Sequence, residues 1–193
     1  MRKPIIVAML ATLGFAGTAY ADDGVSYNFV EAGYVHTEFD DLDIDGNGFG
    51  LHGEVAFTKN VHGFASYSKT DFDFDISADQ FEIGGGMNWS LTPKLDLVGQ
   101  LGYVGVKLDA PGVDGFDDSG IELRAQLRSR LSEMFELRGG LAYTNLDDAG
   151  DGTVGEVGAR FYINKMFALG ADASFDSDGT TWMLGARFDF NHP

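Results

Sequence analysis

Ile121-Glu122-Leu123-Arg124-Ala125-Gln126-Leu127-Arg128-Ser129-Arg130-Leu131 alternates without a break. Ile121, Leu123, Ala125, Leu127, Ser129 and Leu131 share one face, while Glu122, Arg124, Gln126, Arg128 and Arg130 share the other. A period of two is the signature of a β-strand, because successive side chains leave a pleated backbone on opposite sides. The same pattern recurs at Phe81, Ile83, Gly85, Met87, Trp89 and Leu91, which oppose Gln80, Glu82, Gly84, Gly86, Asn88 and Ser90. Extended along the chain, it predicts ten strands near 26–37, 48–58, 61–70, 80–91, 95–107, 120–131, 134–145, 154–163, 167–175 and 181–190. Helical periodicity is absent.

The strands are punctuated by a repeat. Leu91-Thr92-Pro93-Lys94-Leu95, Leu131-Ser132-Glu133-Met134-Phe135 and Ile163-Asn164-Lys165-Met166-Phe167 are versions of one short turn. Phe57-Thr58-Lys59-Asn60 is a shorter fourth. Eleven residues after the Thr, Ser or Asn of the first three comes an aromatic: Tyr103, Tyr143 or Phe175. Between the short turns lie segments rich in aspartate and glycine, 40–48, 71–79, 109–118, 147–152 and 176–179. Four short turns at one end and five acidic loops at the other describe an up-and-down antiparallel barrel of about ten strands, with eight as the alternative.

Composition narrows the class. The chain has 193 residues, 27 glycines, no cysteine and a formal charge of −17. Without cysteine there is no disulfide framework and no thiolate site. The acidity excludes nucleic acid as a partner, since phosphate binding needs clustered Lys and Arg. At the start, Arg2 and Lys3 precede an apolar stretch from Ile5 to Ala16, and Ala19-Tyr20-Ala21 places small residues at a cleavage site. The stretch is shorter than the roughly 20 residues of a membrane-spanning helix. The expectation is a cleaved secretory signal at 1–21 and an exported barrel domain at 22–193.

Alternation alone fits two opposite objects: a soluble barrel with its apolar face inside, or a transmembrane barrel with that face in lipid. Arginine placement favours the second. Arg124, Arg128, Arg130, Arg138, Arg160 and Arg187 all fall on the polar face within strands, whereas Lys59, Lys94 and Lys165 sit in short turns and Lys69 and Lys107 at strand ends. An enclosed lumen suits the guanidinium fork, which pairs carboxylates in bidentate geometry. Glu31, Glu54, Glu82, Glu122, Glu136, Glu156, Asp172 and Asp189 offer the partners on the same face. On the apolar face, Tyr34, Phe49, Tyr67, Phe81, Tyr103, Tyr143, Phe175 and Trp182 lie toward the loops. Phe57, Trp89, Phe135, Phe161, Phe167 and Phe188 lie toward the turns. Two aromatic belts around an aliphatic band mark a membrane barrel. The reverse register for 120–131 would put four charges in lipid, each arginine costing roughly 2–4 kcal/mol at mid-depth.

Gly185-Ala186-Arg187-Phe188-Asp189-Phe190 resembles the carboxy-terminal signal read by barrel-assembly machinery, with Gly185, Phe188 and Phe190 as its marks. Met183 and the trailing Asn191-His192-Pro193 depart from that pattern. Together with Ser26-Tyr27-Asn28-Phe29-Val30-Glu31-Ala32-Gly33-Tyr34-Val35 and the repeated turns, the whole mature chain resembles the small outer-membrane β-barrels of Gram-negative bacteria. It is most similar to a xanthomonad family named for activation of plant immunity. The resemblance implies an outer-membrane address, release in vesicles and a part in surface properties or contact with a host or cell-surface partner; the acidic loops are expected to meet lipopolysaccharide through bridging cations. It implies no catalytic residues.

Chemistry is sparse. Asp41-Leu42-Asp43-Ile44-Asp45-Gly46-Asn47-Gly48 mimics the start of an EF-hand loop, with Asp41, Asp43 and Asp45 as the alternate oxygens. His52 stands where the bidentate glutamate belongs, and strands flank the motif in place of helices. No resident cofactor is expected, and weak Ca or Mg binding at an acidic rim is the looser reading. His52, with His36 near it at the first acidic loop, is the minimum for a protease or lipid-modifying site, but no serine nucleophile motif accompanies them. The chain is expected not to be an enzyme. Two readings of the lumen stay open. Its carboxylates and arginines can lock it shut, or Gly50, Gly84, Gly86, Gly102, Gly140, Gly158, Gly170 and Gly185 can leave a narrow cation-leaning pore.

Overall fold

The computed structural model describes residues 24–39, 44–112 and 115–190. Ten strands follow one another: β1 (Phe29–Phe39), β2 (Asp45–Ala56), β3 (Val61–Phe72), β4 (Ile76–Thr92), β5 (Leu95–Asp109), β6 (Phe116–Arg130), β7 (Phe135–Leu146), β8 (Gly150–Tyr162), β9 (Phe167–Phe175) and β10 (Gly179–Asp189). Each pairs antiparallel with its sequence neighbours, and β10 returns to β1, closing the barrel. Closure removes the unpaired edges that an open sheet would expose. The expected signal at 1–21 lies outside the described residues.

The repeated turn has a local cause. Thr58, Ser132 and Asn164 each accept hydrogen bonds from the backbone N–H groups two and three residues on. Thr92 Oγ1 accepts from Lys94 N at 3.3 Å. A short polar side chain that mimics a turn of backbone is what Thr, Ser and Asn supply at such positions. The sequence period of the turns is therefore a period of side-chain caps.

At the other end the expectation needs correcting. Each acidic segment is entered by strand. β2 begins at Asp45, β4 at Ile76, β6 at Phe116 and β8 at Gly150, so the connections shrink to 40–44, 73–75, 110–115, 147–149 and 176–178. Segment 71–79 closes through a single tight turn with Phe74 and Asp75 both in the left-handed region, at φ 64° and 57°. Asp176 Oδ1 caps the 176–178 connection through the N–H groups of Asp178 and Gly179. Connection length does not separate the two ends; charge does. Pairing with a neighbour carries each strand on through residues whose own β preference is low.

Burial settles which face is which. Leu51, Ile83, Leu101, Leu123, Leu141, Leu169 and Leu184 are exposed on the outside of the barrel, as are the belt aromatics Tyr34, Phe49, Phe81, Tyr103, Trp89, Phe161 and Trp182. Phe188 is half-buried against Phe167, with ring centroids 4.9 Å apart. Glu31, Glu54, Glu82, Glu122, Arg124, Arg128, Glu136, Glu156, Arg160 and Arg187 are buried inside.

Candidate functional site: a charged lumen between two unlike rims

Each strand contributes inward residues at alternate positions, and the barrel brings residues far apart in sequence to one cross-section. Arg160 is the clearest example. It faces Glu31 with Nε–Oε1 at 2.9 Å and Nη2–Oε2 at 3.0 Å, and Asp172 with Nη2–Oδ2 at 2.8 Å and Nη1–Oδ1 at 3.0 Å. One guanidinium thus forks to two carboxylates, the geometry its planar donors favour. Arg138 joins from β7, with Nη2 2.7 Å from Asp172 Oδ1.

Two further groups lie in the same wall. Arg124 faces three carboxylates: Glu82 at 3.4 Å, Glu156 at 3.2 Å and its near neighbour Glu122. Thr144 donates to Glu122, and Arg124 also donates to Gln100. Nearer the turns the ratio inverts. Glu136 accepts Arg128 at 2.5 Å and stands 3.4 Å from Arg187 and 3.7 Å from Arg130, while Tyr162 donates its hydroxyl to it. Arg187 also pairs with Asp189 at 3.2 Å and lies 3.6 Å over the Phe29 ring. Glu54 collects His52 at 3.3 Å, His62 at 4.0 Å and Gln100 at 3.2 Å. All the residues expected on the lumen face are brought together by the fold.

Several members carry no charge and were not among the expected set. Tyr27 is 1% exposed, and its ring stacks on His62 at 4.4 Å between centroids. The chain before β1 therefore enters the lumen, with Arg187 donating to the Ser26 carbonyl. Gln100 accepts from Arg124 and Gln126 and donates to Glu54, linking the Arg124 group to the Glu54 group. Period-two alternation could have placed all of these inside; their amide, phenol and imidazole chemistry gave no reason to single them out.

The lumen glycines do not leave the space expected of them. A side chain at Gly158 would run into the Asp172 carboxylate and Arg138, one at Gly170 into Arg160 and Glu31, one at Gly102 into Glu82, and one at Gly86 into His62 and Gln100. At these four the room that glycine vacates is taken by charged or polar side chains from other strands, whereas Gly84, Gly140 and Gly185 lie close against neighbouring backbone. Toward the acidic end, a lumen hollow among Thr37, Ser68, Thr70, Phe72, Gln80 and Val106 encloses about 10 Å³, close to one water. Above the ion pairs the interior turns apolar, with Val104, Val106, Leu146 and Ala149 in one cluster and Val35 and Met183, paired in register, in another whose third member, Phe29, lies below beneath Arg187. Met183, the departure from the assembly pattern, fills this layer. In the rest of that pattern, Gly185 packs against the β1 backbone at Ala32 and Phe190 N donates to Asn28 O.

A hollow of about 740 Å³ lies instead on the outer surface, where Gly85, Gly99 and Ala125 make a floor between Met87, Trp89, Leu101, Leu123 and Leu141. Its lining is apolar, as a surface that meets acyl chains requires.

The other expected sites fare differently. Asp41 and Asp43 lie outside the described residues, and Asp45 is exposed at the start of β2. Among the described residues, no group of three or more His, Cys, Asp or Glu side chains is arranged to hold a metal ion. His36 and His52 do not meet. His36 is bonded to Asn47 and Glu38 near the acidic end, whereas His52 is buried beside Glu54. His36 pairs in register with Asn47, five residues before His52 on β2, or about 16 Å at the usual strand rise. Beyond the aromatic belt, Lys69 pairs with Asp79 at 3.4 Å and Lys107 with Asp109 at 2.7 Å. The Asp109 carboxylate raises the pKa of the Lys107 ammonium.

An apolar outer band, two aromatic belts and a charged interior on ten closed antiparallel strands define the fold of an outer-membrane β-barrel. No family model matches the chain, and no curated protein matches it. Solved structures do. The NanC porin superposes with a TM-score of 0.50 at 5% identity, over 84% of this chain and 100% of that one. OprG from Pseudomonas aeruginosa gives 0.46 at 11% identity, over 85% and 95%. Ail, the attachment invasion locus protein of Yersinia pestis, gives 0.44 at 19%, over 84% and 97%. At these identities the likeness is one of fold.

Proposed function

We propose that this chain is an integral outer-membrane barrel whose lumen is held shut by ion pairs and whose work is done at its surface, as a structural or surface-interaction protein. The observation that carries the reading is the fit of charged side chains into the lumen glycines, Asp172 and Arg138 against Gly158 and Arg160 and Glu31 against Gly170. Ion pairs of both signs tie the strands together across the lumen, most fully where the Arg160 fork meets Glu31 and Asp172. Strands of nine residues and more, with apolar outward faces, are long enough to cross a bilayer when tilted.

In this reading the acidic end faces outward. Its aspartates repel anionic lipopolysaccharide unless Ca or Mg bridges the two, and they give a host or cell-surface partner a predominantly negative rim. The whole-chain resemblance to the xanthomonad family supports host contact. The separation of His36 from His52 supports a non-enzymatic role. Refolded mature protein in a planar bilayer tests the closure: the expected result is no conductance from verified barrels, and steady cation-selective steps would replace this reading with the narrow pore.

A further inference from the structure

The segment before β1 crosses the lumen. In the closed ring of strands β6 stands opposite β1, and Tyr27, just ahead of β1, reaches from one to the other. Its ring stacks on His62 of β3, with centroids 4.4 Å apart and an angle of 8° between the planes. The Arg128 guanidinium of β6 lies 5.5 Å from the ring centroid. Tyr27 also packs against Val98 of β5, with Ala56 of β2 beside them. Ala56, His62, Val98 and Arg128 all belong to the turn half of their strands. The segment therefore lies across the turn-end mouth of the barrel.

Its root is firm and its seat is poor. Asn28 is fixed on both sides, its carbonyl accepting from Phe190 N at 2.9 Å and its Oδ1 from Ala56 N at 3.0 Å. Ahead of it, the Ser26 carbonyl accepts from Arg187 Nη2 at 3.0 Å. The Tyr27 hydroxyl, by contrast, is buried with no hydrogen-bond partner among the described residues. The same holds for His62 Nδ1 and for Arg128 Nε and Nη1, on the two side chains that contact the ring. It holds again for the amide oxygens of Asn88 and Gln126, which flank Val98 in register. Buried donors and acceptors without partners cost free energy that contact with water would recover. Here both kinds surround one aromatic ring, and water reaches them when the ring leaves.

We propose that residues 24–27 form a strap, hinged at Asn28, that leaves the lumen as a unit and opens a polar vestibule at the turn end. The proposal rests on the closed lumen: the ion pairs shut the middle of the barrel, and the strap shuts the mouth below them. Local opening of this kind belongs to segments that few bonds hold in place.

The test is the reaction of single cysteines with a water-soluble, membrane-impermeant methanethiosulfonate, on refolded mature protein in lipid nanodiscs that leave both ends accessible. Heat-dependent gel mobility verifies each barrel. V98C lies under the strap, and V104C lies in the apolar layer beyond the ion pairs. With Tyr27 in place, V98C should react slowly. Tyr27→Ala should speed that reaction at least about tenfold. Tyr27→Phe keeps the ring, removes the unpaired hydroxyl and should slow the reaction about fivefold. V104C should stay unreacted in all three backgrounds. Equal V98C rates across the three, or a V98C that stays unreacted in verified Y27A barrels, overturn the strap. Reaction of V104C with Tyr27 in place overturns the closed lumen instead, and the ratio of V98C rates still decides the strap.

Discussion

The lumen and the outer face are cut from the same strands, yet they are specified in different ways. Outside, Leu123 needs only to be apolar, since its neighbours Leu101 and Tyr143 face the same surroundings. Inside, Arg160 needs Glu31 and Asp172 at particular atoms and Gly170 beneath it. One face obeys composition and the other obeys geometry. Substitutions of equal chemistry should therefore have unequal effects on the two.

The largest effect is expected from orphaning a buried charge. Arg160→Met leaves Glu31 without its fork and Asp172 with Arg138 alone, and should cost about 3–5 kcal/mol in equilibrium unfolding from lipid vesicles. The double variant R160M/E31Q should recover most of that loss, because it neutralises the carboxylate left without its fork and keeps the Arg138–Asp172 pair. On the outer face, Leu123→Arg should cost roughly 2–4 kcal/mol in the same assay. Leu123→Ile should stay within about 0.5 kcal/mol.

Glycine gives a sharper contrast. A Cβ at Gly158 meets Asp172 and Arg138, whereas a Cβ at the outward Gly139 has its nearest contact at 3.7 Å. Gly158→Val should destabilise by about 1–3 kcal/mol through overpacking, and Gly139→Val should be close to neutral. A smaller effect than at any lumen position belongs to the belts. Phe175 covers Gly155 on the outer face, so Phe175→Ala should cost about 0.2–1 kcal/mol, less than any of the lumen changes.

The sequence reading of β6 was sufficient for the fold, because four charges on one face and four large apolar residues on the other admit one orientation in lipid. It also put every arginine and a set of candidate carboxylates on the polar face, without saying which would meet. Two things were not legible. Strand ends such as 76–79 and 150–153 look like loops, since Ala, Asp, Gly and Ser have weak strand preferences; they become strand only through pairing with β3 and β7. The role of the lumen glycines was also hidden. A glycine reads as space, and whether an arginine from the next strand fills it depends on register, which alternation within a single strand does not reveal.

Parity and closure can be tested together along β6. The chain has no cysteine, so single cysteines at 121–130 carry nitroxide labels on a clean background in bilayers. The account predicts that 121, 123, 125 and 127 are relaxed by lipid-soluble oxygen, while 122, 124, 126 and 128 are reached by neither oxygen nor a water-soluble nickel complex. Access of the nickel complex to the even positions would contradict the closed lumen, and an exchange of the two parities would contradict the fold itself.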